Sequence, residues 1–141
     1  MPVDRGMIEN KLENLKTFIR KLEKMEFTVA EIQDDEDIQD LLDRRMQLAI
    51  ETCIDIATHI AANLQLPKRE VAADVFDVLA NEGIINSELS EKMRGAVGLR
   101  NILVHEYAKI DYELAYADLK KKLGDLRDFA AQIFGFLEKE G

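Results

Sequence analysis

The sequence predicts an all-α fold, an up-and-down antiparallel bundle of four long helices and one short one. Three observations predict it. In four long stretches apolar residues recur at intervals of three and four, which lines one face of an α-helix. No stretch alternates apolar and polar residues with period two, so no sheet is expected. Two prolines, seven glycines, 6% aromatics and no tryptophan suit a helical chain better than a sheet protein.

The first helix is expected from about Met7 to Phe27, with Ile8, Leu12, Leu15, Phe18 (beside Ile19), Leu22 and Met25 inward and Lys and Glu outward. The acidic run Asp34-Asp35-Glu36-Asp37 suits the positive end of a helix dipole; a metal site is the sharper alternative. A long second helix follows from about Glu36 to Leu66. Its stripe is Ile38, Leu41, Leu42, Met46, Ala49, Cys53, Ile56, Ala57, Ile60, Ala61 and Leu64, with Cys53 as a small buried hydrophobe. A second row at spacing four, Glu51, Asp55 and His59, faces elsewhere; Asp55 can orient His59 or pair with it on the surface. Leu66-Pro67 closes the helix, because proline disfavours helical geometry in the residue before it.

The short helix is expected from about Arg69 to Asn81, with Val71, Val75, Val78 and Leu79 inward and Gly83 as a left-handed cap. Ser87 then serves as an N-cap, Ser90 being a second choice. The helix after it turns Leu89, Met93, Ala96, Leu99, Ile102 and Leu103 inward. Gly95 and Gly98 in it mark either a close approach by another helix or simple tolerance. The last helix is expected from about Tyr112 to Glu138, striped by Leu114, Ala117, Leu119, Leu123, Leu126, Phe129, Ile133 and Phe136.

No repeat, low-complexity tract or linker divides the 141 residues, so residues 1–141 are expected to form a single domain. The start of the chain lacks the pattern of a signal peptide. Its longest run without Asp, Glu, Lys or Arg, Ile56 to Pro67, is shorter than the roughly 18 apolar residues that cross a bilayer. No membrane association is expected, and the location is expected to be cytoplasmic. The lone Cys53 rules out an intramolecular disulfide and a cysteine zinc cluster. A net charge of −9 means that contact with nucleic acid must be local, as in a cleft where two chains pool their arginines.

One decapeptide departs from this scaffold: Gly98-Leu99-Arg100-Asn101-Ile102-Leu103-Val104-His105-Glu106-Tyr107. Arginine offers a planar, permanently charged fork of donors that suits phosphate oxygens. Histidine exchanges protons near neutral pH. Together they can run a metal-free phosphodiester cleavage, His105 moving a proton and Arg100 stabilising charge on the phosphorus oxygens. The plainer alternatives are an interhelical salt bridge for Arg100, a helix-closing polar residue for His105 and a core-edge aromatic for Tyr107. Positions five apart lie about 140° apart around a helix. Either the helix unwinds before His105, or the site is assembled from more than one chain. Acid and base roles also need two groups, which a two-fold dimer of this segment supplies.

The decapeptide resembles the signature of the HepT-like branch of the HEPN ribonucleases, in which arginine is followed after four residues by histidine and, after one more, by tyrosine. Leu48 to His59, the Pro67 turn, Asn81-Glu82-Gly83-Ile84-Ile85 and Ile110-Asp111 extend the resemblance over roughly Met7 to Phe136. It implies a HEPN-like helical-bundle homodimer with facing motifs, acting as a metal-independent endoribonuclease that needs no cofactor. It implies the toxin of a type II-like toxin–antitoxin pair, with RNA as substrate. An MNT-type nucleotidyltransferase antitoxin would be its partner, adding AMP to the motif tyrosine. On this chain Arg100 and His105 become the catalytic pair and Tyr107 the AMP acceptor. Asn101 becomes an orienting or substrate-contacting residue, and Glu51 and Asp55 become candidates to line the cleft. The alternative is a non-catalytic helical dimer whose cleft binds a nucleotide or a partner.

Overall fold

The computed structural model of the protein describes residues 3–105 and 110–140, with only the backbone of His105. All regular structure among them is helical: α1 (Arg5–Glu23), α2 (Val29–Asp34), α3 (Glu36–Asn63), α4 (Asp74–Asn81), α5 (Ser87–His105), α6 (Tyr112–Ala115) and α7 (Leu119–Glu140). The four long helices α1, α3, α5 and α7 are those the periodicity predicts. The short helices number three among the described residues instead of one.

Long-range polar contacts register the bundle. The amide of Asp4 donates to Oδ1 of Asn63 at 2.9 Å, joining the start of α1 to the end of α3. Arg5 reaches the far end of α7, its Nη1 donating to the Leu137 carbonyl at 2.9 Å and its Nη2 to Glu138 at 2.8 Å. At the opposite end Arg127 of α7 pairs with Glu23 of α1. The contacts of Asp4 and Arg5 join the start of α1 to the ends of α3 and α7, so α1 runs antiparallel to both.

The core follows from the stripes. Ile8, Leu12, Leu15, Ile19 and Leu22 of α1 meet Leu42, Met46, Ala49, Ile50, Cys53, Ile56, Ala57 and Ile60 of α3. From α7 come Leu123, Leu126, Phe129, Ile133 and Leu137, and Phe129 stands edge-on to Phe76 of α4 at 5.6 Å. Cys53 is fully buried, as its place on the stripe predicts, and burial pushes its thiol pKa up. No described helix is long and apolar enough to cross a membrane.

Several expectations need correction. Thr28 caps a short helix the periodicity does not show, its side chain accepting from the Glu31 amide at 3.2 Å. The acidic run does serve a helix start: Asp35 accepts from the amides of Asp37 at 2.9 Å and Ile38 at 3.3 Å. Helix α3 ends at Asn63, short of Leu66, because Gln65 takes a left-handed conformation (φ 56°) that closes the turn. After Pro67 the chain bends and turns through residues 70–73 and becomes helical only at Asp74, and Val71 is exposed. The cap of α5 is Asn86, whose Oδ1 accepts from the Leu89 amide at 2.8 Å, and not Ser87. Ser90 is buried instead and donates to Asp77 at 2.7 Å. A Cβ on Gly95 or Gly98 would meet nothing within 4 Å among the described residues, so no described helix approaches there. Leu41, Ile102 and Leu114 are exposed, and Val97, absent from the predicted stripe, is buried. The expected last helix is broken at Tyr116–Asp118 into α6 and α7.

Candidate active site

Helix α5 carries the motif, and the burial of Leu89, Met93, Val97 and Leu99 seats it against α3 and α7. That packing aims the next residue, Arg100, along α3. Its side chain is only 18% exposed, and Nη1 lies 3.9 Å from Oε1 of Glu51. Glu51 is itself oriented by Gln47, whose Nε2 donates to the same oxygen at 3.2 Å. The guanidinium Nε is buried and has no hydrogen-bond partner among the described residues. A 3.9 Å ion pair is at the loose end of the range, and a buried N–H without an acceptor costs about 1–3 kcal/mol. The guanidinium is therefore held near Glu51 without being consumed by it.

The other sequence-predicted residues are placed less compactly. Asn101 is exposed. Asp55, one turn beyond Glu51, is exposed and pairs with Lys11 of α1 at 3.7 Å. No hydrogen bond among the described residues joins Asp55 to His59, which is half-buried. Thus the structure brings Glu51 to Arg100 and leaves Asp55 on another partner. The backbone of His105 is still helical, so α5 does not unwind before it. Its side chain and Tyr107 lie outside the described residues. Among those residues, no three His, Cys, Asp or Glu side chains cluster closely enough to hold a metal ion.

Beyond the motif stands a cluster the sequence reading missed. Asp43 of α3 accepts from two phenols, Tyr112 at 2.7 Å on Oδ2 and Tyr116 at 2.6 Å on Oδ1. The two rings stack at 5.9 Å. Burial pushes the Asp43 carboxyl above its usual range, with nearby Asp40 adding to the effect; the two phenols oppose it without cancelling it. Both phenols are pushed well above the usual tyrosine range, first by burial and then by the carboxylate. The available signal was the i, i+4 spacing of the tyrosines, which puts both on one helical face.

Residues 8–133 match the family described as Ribonuclease HepT-like. The chain belongs to that family. The expected class, an endoribonuclease of the HepT-like group, is borne out with it. Among curated HepT-like relatives, the mRNA nuclease HepT of Shewanella oneidensis is 31% identical over 123 residues, covering 87% of this chain and 92% of that protein. The tRNA nuclease HepT of Aphanizomenon flos-aquae is 29% identical over 136 residues, covering 96% and 92%. Among solved structures, the tri-AMPylated Shewanella oneidensis HEPN toxin in complex with its MNT antitoxin superposes with a TM-score of 0.83 at 30% identity, covering 91% of this chain and 96% of that one. The all-α HEPN-like fold is borne out by the same superposition. The Bacillus subtilis protein YutE shares the fold, with a TM-score of 0.85 at 22% identity and coverage of 98% and 93%.

Proposed function

We propose that this chain is a metal-independent endoribonuclease toxin that works as a homodimer in the cytoplasm and is silenced by addition of AMP to Tyr107. The observation that carries the reading is Arg100: a largely buried cation whose Nε has no acceptor among the described residues, five positions before His105 on one unbroken helix. Such a group suits an anionic ligand, and phosphate oxygens fit its fork. The unbroken helix supports the dimer. Positions 100 and 105 are about 140° apart around α5, so one straight helix does not offer both on one face.

In this reading the RNA 2′-oxygen attacks phosphorus while one protomer's His105 takes its proton. The bond to the 5′-oxygen breaks, and the partner's His105 protonates the departing oxygen. Arg100 stabilises the charge gathered on the non-bridging oxygens. The products are a 2′,3′-cyclic phosphate and a 5′-hydroxyl. Glu51 keeps the guanidinium oriented, and Asn101 and Asp55 are assigned to the rim of the cleft.

Silencing runs through an MNT-type nucleotidyltransferase, as the AMPylated toxin–antitoxin relative suggests. The Tyr107 phenol oxygen attacks the α-phosphorus of ATP, pyrophosphate leaves, and the phenolic proton passes to a base. An AMP group placed two residues from His105 would add negative charge where the RNA phosphate must sit.

The test is a gel assay of purified protein on bulk tRNA in EDTA, after mass spectrometry has shown Tyr107 to be unmodified. Wild type is expected to cut and leave cyclic phosphate. Arg100→Ala and His105→Ala are expected to lose at least about a hundredfold in rate while retaining helical circular dichroism. A folded, unmodified wild type that never cuts RNA would overturn the reading in favour of a binding module.

A further inference from the structure

Helix α6 has no buried residue, and its one large aliphatic side chain, Leu114, is 75% exposed. Tyr112 and Ala115 pack against the core only partly buried, a small apolar contact for holding a helix of four residues. The pair of phenols on Asp43 adds directional bonds to that packing, with Tyr116 buried just after the helix. Asp111 defines its start, accepting from the Leu114 amide at 3.1 Å. Seating a carboxylate there has a cost, since the same two tyrosines could have packed against an apolar residue. The arrangement calls for a role that apolar packing would not perform: two directional bonds that fix where the chain re-enters the bundle.

That point matters because of what precedes it. Only five positions separate Tyr107 from Tyr112, and seven separate His105 from it. An extended chain spans at most roughly 3.6 Å per residue, so five positions can reach no farther than about 18 Å. The helical end of α5 at His105 sets one limit on the segment, and the clamp sets the other.

We infer that Asp43 is a positioning residue for the motif: by holding Tyr112 and Tyr116 it sets the reach of the segment that presents His105 to RNA and Tyr107 to the nucleotidyltransferase. Asp43 touches neither substrate. This inference rests on the ribonuclease reading for its consequence, though not for its geometry.

The experiment compares wild type with Asp43→Ala, Asp43→Asn and the double variant Tyr112→Phe/Tyr116→Phe. Each is assayed for tRNA cleavage in EDTA and for AMP incorporation with ATP and an MNT-type nucleotidyltransferase, per molecule shown folded by circular dichroism. Asp43→Ala is expected to lose about tenfold or more in kcat and in AMP incorporation with KM for RNA little changed, because misplacing a reacting group by about 1 Å carries penalties of this size or greater. Asp43→Asn, which keeps one acceptor oxygen, should fall between Asp43→Ala and wild type. A lowered melting temperature with both rates unchanged would show mere structural support and overturn the inference. If wild type is inactive in both assays, the ribonuclease reading fails, and hydrogen exchange decides the clamp separately. Exchange at Tyr112 and its neighbours about tenfold faster in Asp43→Ala supports it, and unchanged exchange overturns it.

Discussion

Asp43 titrates against the habit of carboxylates. Most paired carboxylates have depressed folded-state pKa values and stabilise proteins as pH rises. Asp43 is raised, so the folded state holds its proton longer than the unfolded chain does. Its contribution to stability is full below about pH 4 and is lost as pH rises through the folded value. The phenols follow the same sign at the alkaline end: Tyr112 and Tyr116 stabilise the fold fully below about pH 10 and lose that contribution above it. In a Tyr107→Phe background these two are the only tyrosines left. Ultraviolet titration should then show little tyrosinate at about pH 11 while the helical signal persists. Asp43→Ala should move the titration part of the way back, because burial is the larger cause and remains. Ordinary titration near pH 10 in folded protein would show that the clamp does not form. At this scale legibility was uneven. Arg100 stood out because it shares a decapeptide with His105 and Tyr107. Asp43 did not, because its partners lie 69 and 73 positions away, and it blends into an acidic stretch.

At the scale of the element, the same closing turn is built twice with different residues. After α4 the amide of Gly83 donates to the Ala80 carbonyl and that of Ile84 to Leu79, both at 3.0 Å, with Gly83 at φ 75°. After α3 the amides of Gln65 and Leu66 donate to Ala62 at 3.1 Å and Ala61 at 2.8 Å, with Gln65 at φ 56°. The left-handed position suits glycine, which has no Cβ to meet the carbonyl. Gln65→Gly is therefore expected to raise stability by about 0.5–1 kcal/mol, and Gly83→Ala to lower it by about 1 kcal/mol, in urea unfolding. Equal effects of one sign would rule out the matched turn. This pair also explains a boundary error: the end at Gly83 was legible, whereas a glutamine carries no left-handed signal and Pro67 drew the α3 boundary too far. Thr28 with Glu31 three residues later did carry the capping-box spacing, which betrays α2. The break before α7 contains neither glycine nor proline, and it falls where Tyr116 bonds to Asp43 on another helix.

For the molecule as a whole, the four long helices were legible because each buries a stripe repeated over four or more turns, and that signal does not depend on the neighbouring helices. Which exposed surface would face the second copy of the proposed dimer was not legible, for a stripe records burial within one chain. The net charge of −9 sharpens the issue, because a protomer this acidic offers RNA little long-range attraction. The proposed sharing of the two motifs has a consequence for mixed dimers. If one cleft needs a proton acceptor and a proton donor from different protomers, a dimer with one wild-type chain and one His105→Ala chain lacks half of the pair. Such a dimer, isolated through two different tags, is expected to cleave tRNA at no more than a few per cent of the wild-type rate, about the level of the His105→Ala homodimer. Two self-sufficient sites would instead leave about half the wild-type rate, one site of two remaining intact. Half-activity would sink the shared cleft while leaving Arg100 and His105 as catalytic residues within each chain. Near-complete loss, with the mixed dimer shown intact by native mass spectrometry, would make the two-fold axis part of the active site.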